Sequence, residues 1–284
     1  MLVEFAGGLM ANSLALLADA GHMLTDTAAL GLAWAAVRVA IRPADLRRTF
    51  GYQRLRVLAT FINGCALLFI TVWIAIEAVQ RLFTPVPVSG AMILWIGSVG
   101  LAINLLVFAL LRRGDADDMN IAAASLHVLG DLLGSVAAIV AALVILSTGW
   151  TPIDPLLSLL VCLLIVRSAW SLIRRSTHIL MEGAPEELDV AELRSTLEQH
   201  IPAIRDVHHV HTWLVGPQDI FLTMHAAVVM TADHSNVLRE AKAVLAERYG
   251  IKHATIQIEA DDCVDEDCGP ANPLANRRAD TTTG

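Results

Sequence analysis

Apolar positions fall into five long runs before the chain changes character near residue 182. The runs lie near Ser13–Val37, Val57–Leu82, Gly90–Leu111, Met119–Ser147 and Pro155–Ile173. Within them Val57–Ile76, Leu82–Leu111 and Leu132–Ile153 carry no charged residue, and about 20 predominantly apolar residues suffice for a helix to cross a bilayer. Five membrane helices are therefore predicted. In front of them, Met1–Ala11 is apolar apart from Glu4. It is about half a span in length and reads as the end of a first helix whose start is missing. It lacks the basic n-region and cleavage site of a signal peptide.

Beyond residue 182 the pattern shortens. Glu186–His200 has helical composition, and Asp206–Val215 and Ile220–Thr231 alternate apolar and polar residues. The two runs meet at Gly216-Pro217, which is a hairpin signal. Ser235–Tyr249 returns to helical spacing, and His253–Glu259 is a last short strand. From Asp261 the chain is acidic and then polar, with Pro270 and Pro273, the composition of a disordered tail. The expected fold class is an α-helical membrane protein of six-helix type, its first helix truncated, followed by a small α+β domain. Its divisions are residues 1–181, 182–260 and 261–284.

Charge orients these spans. Arg38, Arg42, Arg47, Arg48, Arg54 and Arg56 crowd the first loop, Arg112 and Arg113 open the third, and Arg174 and Arg175 follow the last span. By the positive-inside rule these loops are cytoplasmic. The segments around Thr84–Ser89 and Thr148–Asp154 hold no Lys or Arg and face outward. The C-terminal part is then cytosolic, and a complete first helix would place both termini inside.

Composition narrows the function. The net charge is −8, with no basic cluster in the soluble part, which argues against a nucleic-acid partner. Lys242 and Lys252 are the only lysines and neither follows a glycine-rich loop, so no ATP-powered pump is expected. An intramembrane protease is disfavoured because H-E-x-x-H and G-x-S-x-G are both absent. Cys65 and Cys162 lie inside spans, while Cys263 and Cys268 lie in the acidic tail. That is no disulfide framework. The tail pair is half a metal site at most, or a reduced flexible segment.

Two words carry the chemistry. Ala18-Asp19-Ala20-Gly21-His22-Met23-Leu24-Thr25-Asp26 and Ser125-Leu126-His127-Val128-Leu129-Gly130-Asp131 both contain H-x-x-x-D inside an apolar run. Residues i and i+4 share a helix face, so His22 points with Asp26 and His127 with Asp131. A carboxylate inside the membrane is tolerated only where it faces protein, water or a ligand. Asp26 and Asp131 fall roughly 18–20 Å into their helices at 1.5 Å per residue, near the middle of a core about 30 Å thick. Two imidazoles and two carboxylates suit tetrahedral Zn2+, with Co2+, Cd2+ and Ni2+ poorly discriminated. Asp19 shares the face of His22 and Asp26, nearer the outside. Either an exit-side relay or a hydrated helix end accounts for it. Glu77 and Asn104 read as packing residues.

These words, together with T-F-G-Y at Thr49–Tyr52, E-G-A-P at Glu182–Pro185, V-H-H-V-H at Val207–His211 and H-A-T-I-Q-I-E at His253–Glu259, resemble the cation diffusion facilitator family, most closely its bacterial zinc exporters. The resemblance implies a ferredoxin-like cytosolic domain, a homodimer in the bacterial inner membrane, and export of Zn2+ driven by proton influx. The partners implied are zinc ions, protons and the bilayer. It also implies regulatory zinc on the cytosolic domain, with His208 and His211 the candidates among His208, His209, His211, His225, His234 and His253. Strict alternation, however, places His209 and His211 opposite His208. Many members have His and Glu where this chain has Gln53 and Arg56, so no second site is expected on that loop. The incomplete first helix leaves one competing expectation, a metal sensor or assembly partner that does not transport.

Overall fold

The computed structural model describes residues 2–112, 119–216 and 219–260, the side chains of 119–127 excepted. The acidic tail with Cys263 and Cys268, and Pro217 of the expected turn, lie outside the described residues. The helices in order are α1 (Leu2–Ala11), α2 (Leu14–Ala40), α3 (Arg54–Phe83), α4 (Gly90–Leu111), α5 (Met119–Thr148) and α6 (Ile153–Leu180). Five helices, α2 to α6, contain windows long and apolar enough to span a membrane, and α1 is a shorter apolar helix. The described residues fall into two compact units, one formed by those up to 38 and from 59 to 175, the other by those from 39 to 58 and from 176 to 260.

In the first unit, small residues allow close helix packing, as expected where lipid supplies no hydrophobic drive. A Cβ on Gly97 of α4 would lie 3.3 Å from Ile139 of α5, and one on Gly90 would lie 3.1 Å from Ile145. The chain breaks between α1 and α2 at Asn12, whose φ is +56°. This break is clasped from several sides. Ser89 N–H donates to Ala11 O at 3.1 Å, Asn12 Nδ2 to Pro87 O at 3.3 Å, and Arg81 Nη1 to Asn12 O at 2.6 Å. Glu77 accepts from Arg81 Nε at 2.9 Å, so both residues belong to the clasp.

The first turn of α2 would otherwise leave its N–H groups bare. Asp154, fully buried at the start of α6, supplies the missing acceptors from 140 residues away. Its carboxylate takes the Ser13 hydroxyl, the Leu14 N–H at 2.8 Å and the Ala15 N–H at 3.4 Å. The helix that carries His22 and Asp26 is thus fixed at its outer end by a side chain of another helix.

The second unit holds α7 (Val190–His200), β1 (Ile204–Leu214), β2 (Ile220–Val228), α8 (His234–Tyr249) and β3 (His253–Glu259). Helix α7 starts four residues later than the composition suggests because Asp189 caps it, accepting from Ala191 N–H at 2.8 Å. Asp233 caps α8 in the same way, with Ser235 N–H at 2.9 Å, while β2 ends at Val228, sooner than expected, ahead of a turn in which Ala232 N–H donates to Val229 O at 2.9 Å. Gly250 closes α8 at φ +68°, a conformation glycine adopts without Cβ strain. The sheet order is β1-β2-β3, antiparallel then parallel. Leu193 and Leu197 of α7, Leu222 and Met224 of β2 and Leu245 of α8 form the core of this α+β domain. The helices cover one face of the sheet, and the other face carries the polar residues described below.

Candidate metal centre

Helix α2 carries Asp19, His22 and Asp26, spaced three and four residues apart. His22 Nε2 lies 3.5 Å from Asp26 Oδ2, so the i,i+4 pair is formed as the spacing predicts. Asp131 of α5 is 7% exposed and Asp19 is 5% exposed. The backbone of His127 lies in α5 one turn before Asp131, while its side chain lies outside the described residues. Helices α2 and α5 meet where Asp19 Oδ1 sits 2.9 Å from the position a Cβ on Gly134 would take. Asp131 is less than one turn away from that contact and interacts electrostatically with Asp19.

Two further polar groups join this region. Glu4, buried in α1, lies against Gly100 of α4 and interacts electrostatically with Asp19. Asn104 Nδ2 donates to Ser135 Oγ at 3.4 Å, which links α4 to α5 one turn beyond Asp131. The sequence reading passed over Glu4. The signal was available, since an acid inside an apolar segment is itself a functional pointer.

The second cluster lies on the open face of the sheet. His208 of β1 pairs with His225 of β2, and Glu259 ends β3 beside them. Their ligand atoms lie within 4.8 Å of one another. Glu259 reaches both rings, with His208 Nε2 at 3.2 Å and His225 Nδ1 at 3.1 Å. Asp206 accepts from His208 Nδ1 at 2.7 Å, which directs Nε2 toward the cluster, the way outer carboxylates orient histidine ligands.

Strict alternation fails here because β1 has a bulge. The register moves from His208↔His225 to His211↔Thr223, one residue more than a regular ladder allows, and His209 takes a φ of +50°. His211 therefore shares the face of His208 instead of opposing it. The His209 ring sits 4.8 Å from that of His225 and 4.9 Å from that of His211. His211 is at the edge of this group, and His208, His225 and Glu259 are its centre.

Comparison with known proteins places both halves. A model of the cation efflux transmembrane domain matches residues 1–181, and one of the cation efflux protein cytoplasmic domain matches residues 185–261. The chain belongs to the cation efflux family. Among curated members it is 52% identical to the zinc transporter ZitB of Escherichia coli, over 94% of this chain and 86% of that one. It is 41% identical to a cadmium, cobalt and zinc/H(+)-K(+) antiporter of Bacillus subtilis, over 92% of this chain and 85% of that one. The metal-bound C-terminal domain of the CzcD transporter from Cuprividus metallidurans is 30% identical, over 25% of this chain and 99% of that domain, with a TM-score of 0.24. This cation efflux protein is a multi-pass bacterial inner-membrane protein with its C-terminal domain in the cytoplasm.

Proposed function

We propose that this chain exports Zn2+ from the cytoplasm in exchange for protons, with His22, Asp26, His127 and Asp131 as the transport site. The observation that carries the reading is the i,i+4 His22–Asp26 pair within a membrane helix, 3.5 Å apart, repeated in sequence by His127 and Asp131 on a second span. The zinc transporter and the antiporter named above, similar over nearly the whole chain, support the same cargo and the same exchange, extending to Cd2+ and Co2+.

Protons compete directly with such cargo. Zinc binds neutral imidazole and ionised carboxylate, so loading the site releases protons and protonating it releases zinc. Asp19, buried beside Gly134 and coupled to Asp131 and Glu4, is the proposed relay on the outer side of the quartet. Zn2+ influx into inside-out proteoliposomes is expected to rise several-fold when the lumen is made acidic. Flux indifferent to that gradient would overturn the exchange.

The chain is proposed to act as a homodimer, and the cluster of His208, His225 and Glu259 to bind regulatory zinc. Two imidazoles and a carboxylate supply three of the four donors that tetrahedral zinc takes. Replacing Glu259 by Gln in the full chain should remove one tightly bound zinc per chain, weakening that site by about 100-fold or more, beyond the 10- to 100-fold seen when only a group that orients a ligand is lost. Calorimetric titration that shows an unchanged number of tight sites would count against the assignment.

A further inference from the structure

The loop between α2 and α3 concentrates positive charge that the ion site does not use. Arg42, Arg47, Arg48, Arg54 and Arg56 occur within 15 residues, against one acid, Asp45. The loop is folded. Asp45 accepts from the Tyr52 hydroxyl at 2.7 Å and from the N–H groups of Arg47 and Arg48 at 2.8 and 2.7 Å. Phe50 packs edge-on against Phe221 of β2, ring centroids 5.2 Å apart. Asp45 is thereby spent on the turn itself, and these bonds, the Tyr52 hydroxyl first among them, hold its carboxyl below the usual carboxylate range.

Beside this turn lies an open cavity of about 980 Å3, at the upper end of the roughly 300–1,000 Å3 typical of small-molecule sites. Arg47, Arg48 and Arg54 line it together with Leu55, Leu58 and Trp213. Arg54 is matched by Glu182, at 2.8 Å. Arg48 is held by Tyr52, its Nη1 3.3 Å from the hydroxyl and its guanidinium 4.8 Å from the ring centroid, and Asp45, occupied by the turn, offsets its charge only in part. Arg47 is exposed, and among the described residues no carboxylate pairs with it. Two cationic groups therefore remain on the cavity wall. Leu55 and Leu58 belong to the first turns of α3, a membrane-length helix, at the end that the arginine-rich loop assigns to the cytoplasmic surface.

We propose that this cavity seats the headgroup of an anionic phospholipid of the cytoplasmic leaflet. Arg47 and Arg48 receive the phosphate, and Leu55 and Leu58 meet the start of the acyl chains. Basic pockets at the cytoplasmic ends of membrane helices recognise such lipids, and the apolar wall suits an amphiphile better than a free anion. The inference depends on the membrane topology alone and not on which ion is carried.

The test uses the full chain in phosphatidylcholine nanodiscs doped with brominated phosphatidylglycerol, which quenches tryptophan on contact. The Trp213 signal is isolated as the difference from a Trp213→Phe chain. Brominated phosphatidylglycerol at a few per cent should quench this signal, and the same fraction of brominated phosphatidylcholine should leave it bright. Arg47→Gln should weaken the preference about fivefold and Arg47→Gln/Arg48→Gln about 25-fold, from about 1 kcal/mol per arginine near a membrane surface. Arg47→Lys should keep most of it, a rescue that separates lost charge from a disturbed loop. Equal quenching by the two lipids, or a preference that survives the double substitution, would overturn the proposal. So would displacement of the lipid by millimolar inorganic phosphate at constant ionic strength, which would make the cavity a site for a free anion.

Discussion

Asp131→Ala is expected to abolish gradient-driven Zn2+ flux in proteoliposomes, with zinc affinity at the transport site falling by about 100-fold or more, beyond the 10- to 100-fold typical when only a group that orients a ligand is lost. The carboxylate is 7% exposed in the interior of a membrane helix, where it is tolerated only in the company of protein, water or a ligand. Its loss lowers the charge of the proposed quartet from −2 to −1, so a divalent ion is no longer balanced. The same position distinguishes function from folding. Asp131→Asn removes the charge at nearly constant shape. The Asn chain, free of zinc, should therefore melt close to wild type while transporting as poorly as the Ala chain. Substantial flux in Asp131→Ala would remove this residue from the site.

The second large effect is expected at Asp154, and it is structural. This side chain is 0% exposed and accepts hydrogen bonds from the Ser13 hydroxyl and the N–H groups of Leu14 and Ala15. Asp154→Ala leaves those donors buried without acceptors, at about 1–3 kcal/mol for each group so stranded, for a total of about 3–9 kcal/mol. At roughly 2–4 °C per kcal/mol for chains of this size, melting in detergent should fall on the order of 10 °C. Flux should fall as well, because α2 carries Asp19 and His22 within three turns of its released end. Asp154→Asn, which can still accept, should lose less. Indistinguishable melting of the Ala chain would show that α2 does not depend on this cap.

Much of this architecture was legible in the chain because lipid permits few alternatives. A run such as Leu82–Leu111 has no charge to place in water, and a backbone in hydrocarbon satisfies its own hydrogen bonds as a helix. Helix ends were less legible, since charge marks the edge of the membrane and not the end of the helix. Helix α6 thus runs through Arg174 and Arg175 to Leu180, seven residues past the apolar run. Asp154 looked like the margin of an outer loop because the N–H groups it satisfies are 140 residues away, beyond the reach of any local pattern. In the membrane half, His22 and Asp26 could be paired from spacing alone. In the cytosolic half, period-two counting misplaced His211 and passed over the convergence of His225 with Glu259. A bulge and a parallel strand from the end of the domain create that arrangement, and neither has a mark in a residue count.

The bulge in β1 has an evolutionary side. Between His208 and His211 the strand holds one residue more than its partner needs, so a one-codon deletion there would make the ladder regular from Asp206 onward while leaving the pairing of Thr212, Trp213 and Leu214 in place. Such a deletion would discard His209 or Val210 and straighten the edge on which His209 leans toward His225. Relatives could thus gain or lose an imidazole beside the cluster by a change in length, with no exchange of one side chain for another. Gaps in this four-residue stretch are where lineages with different cytosolic metal responses should be sought.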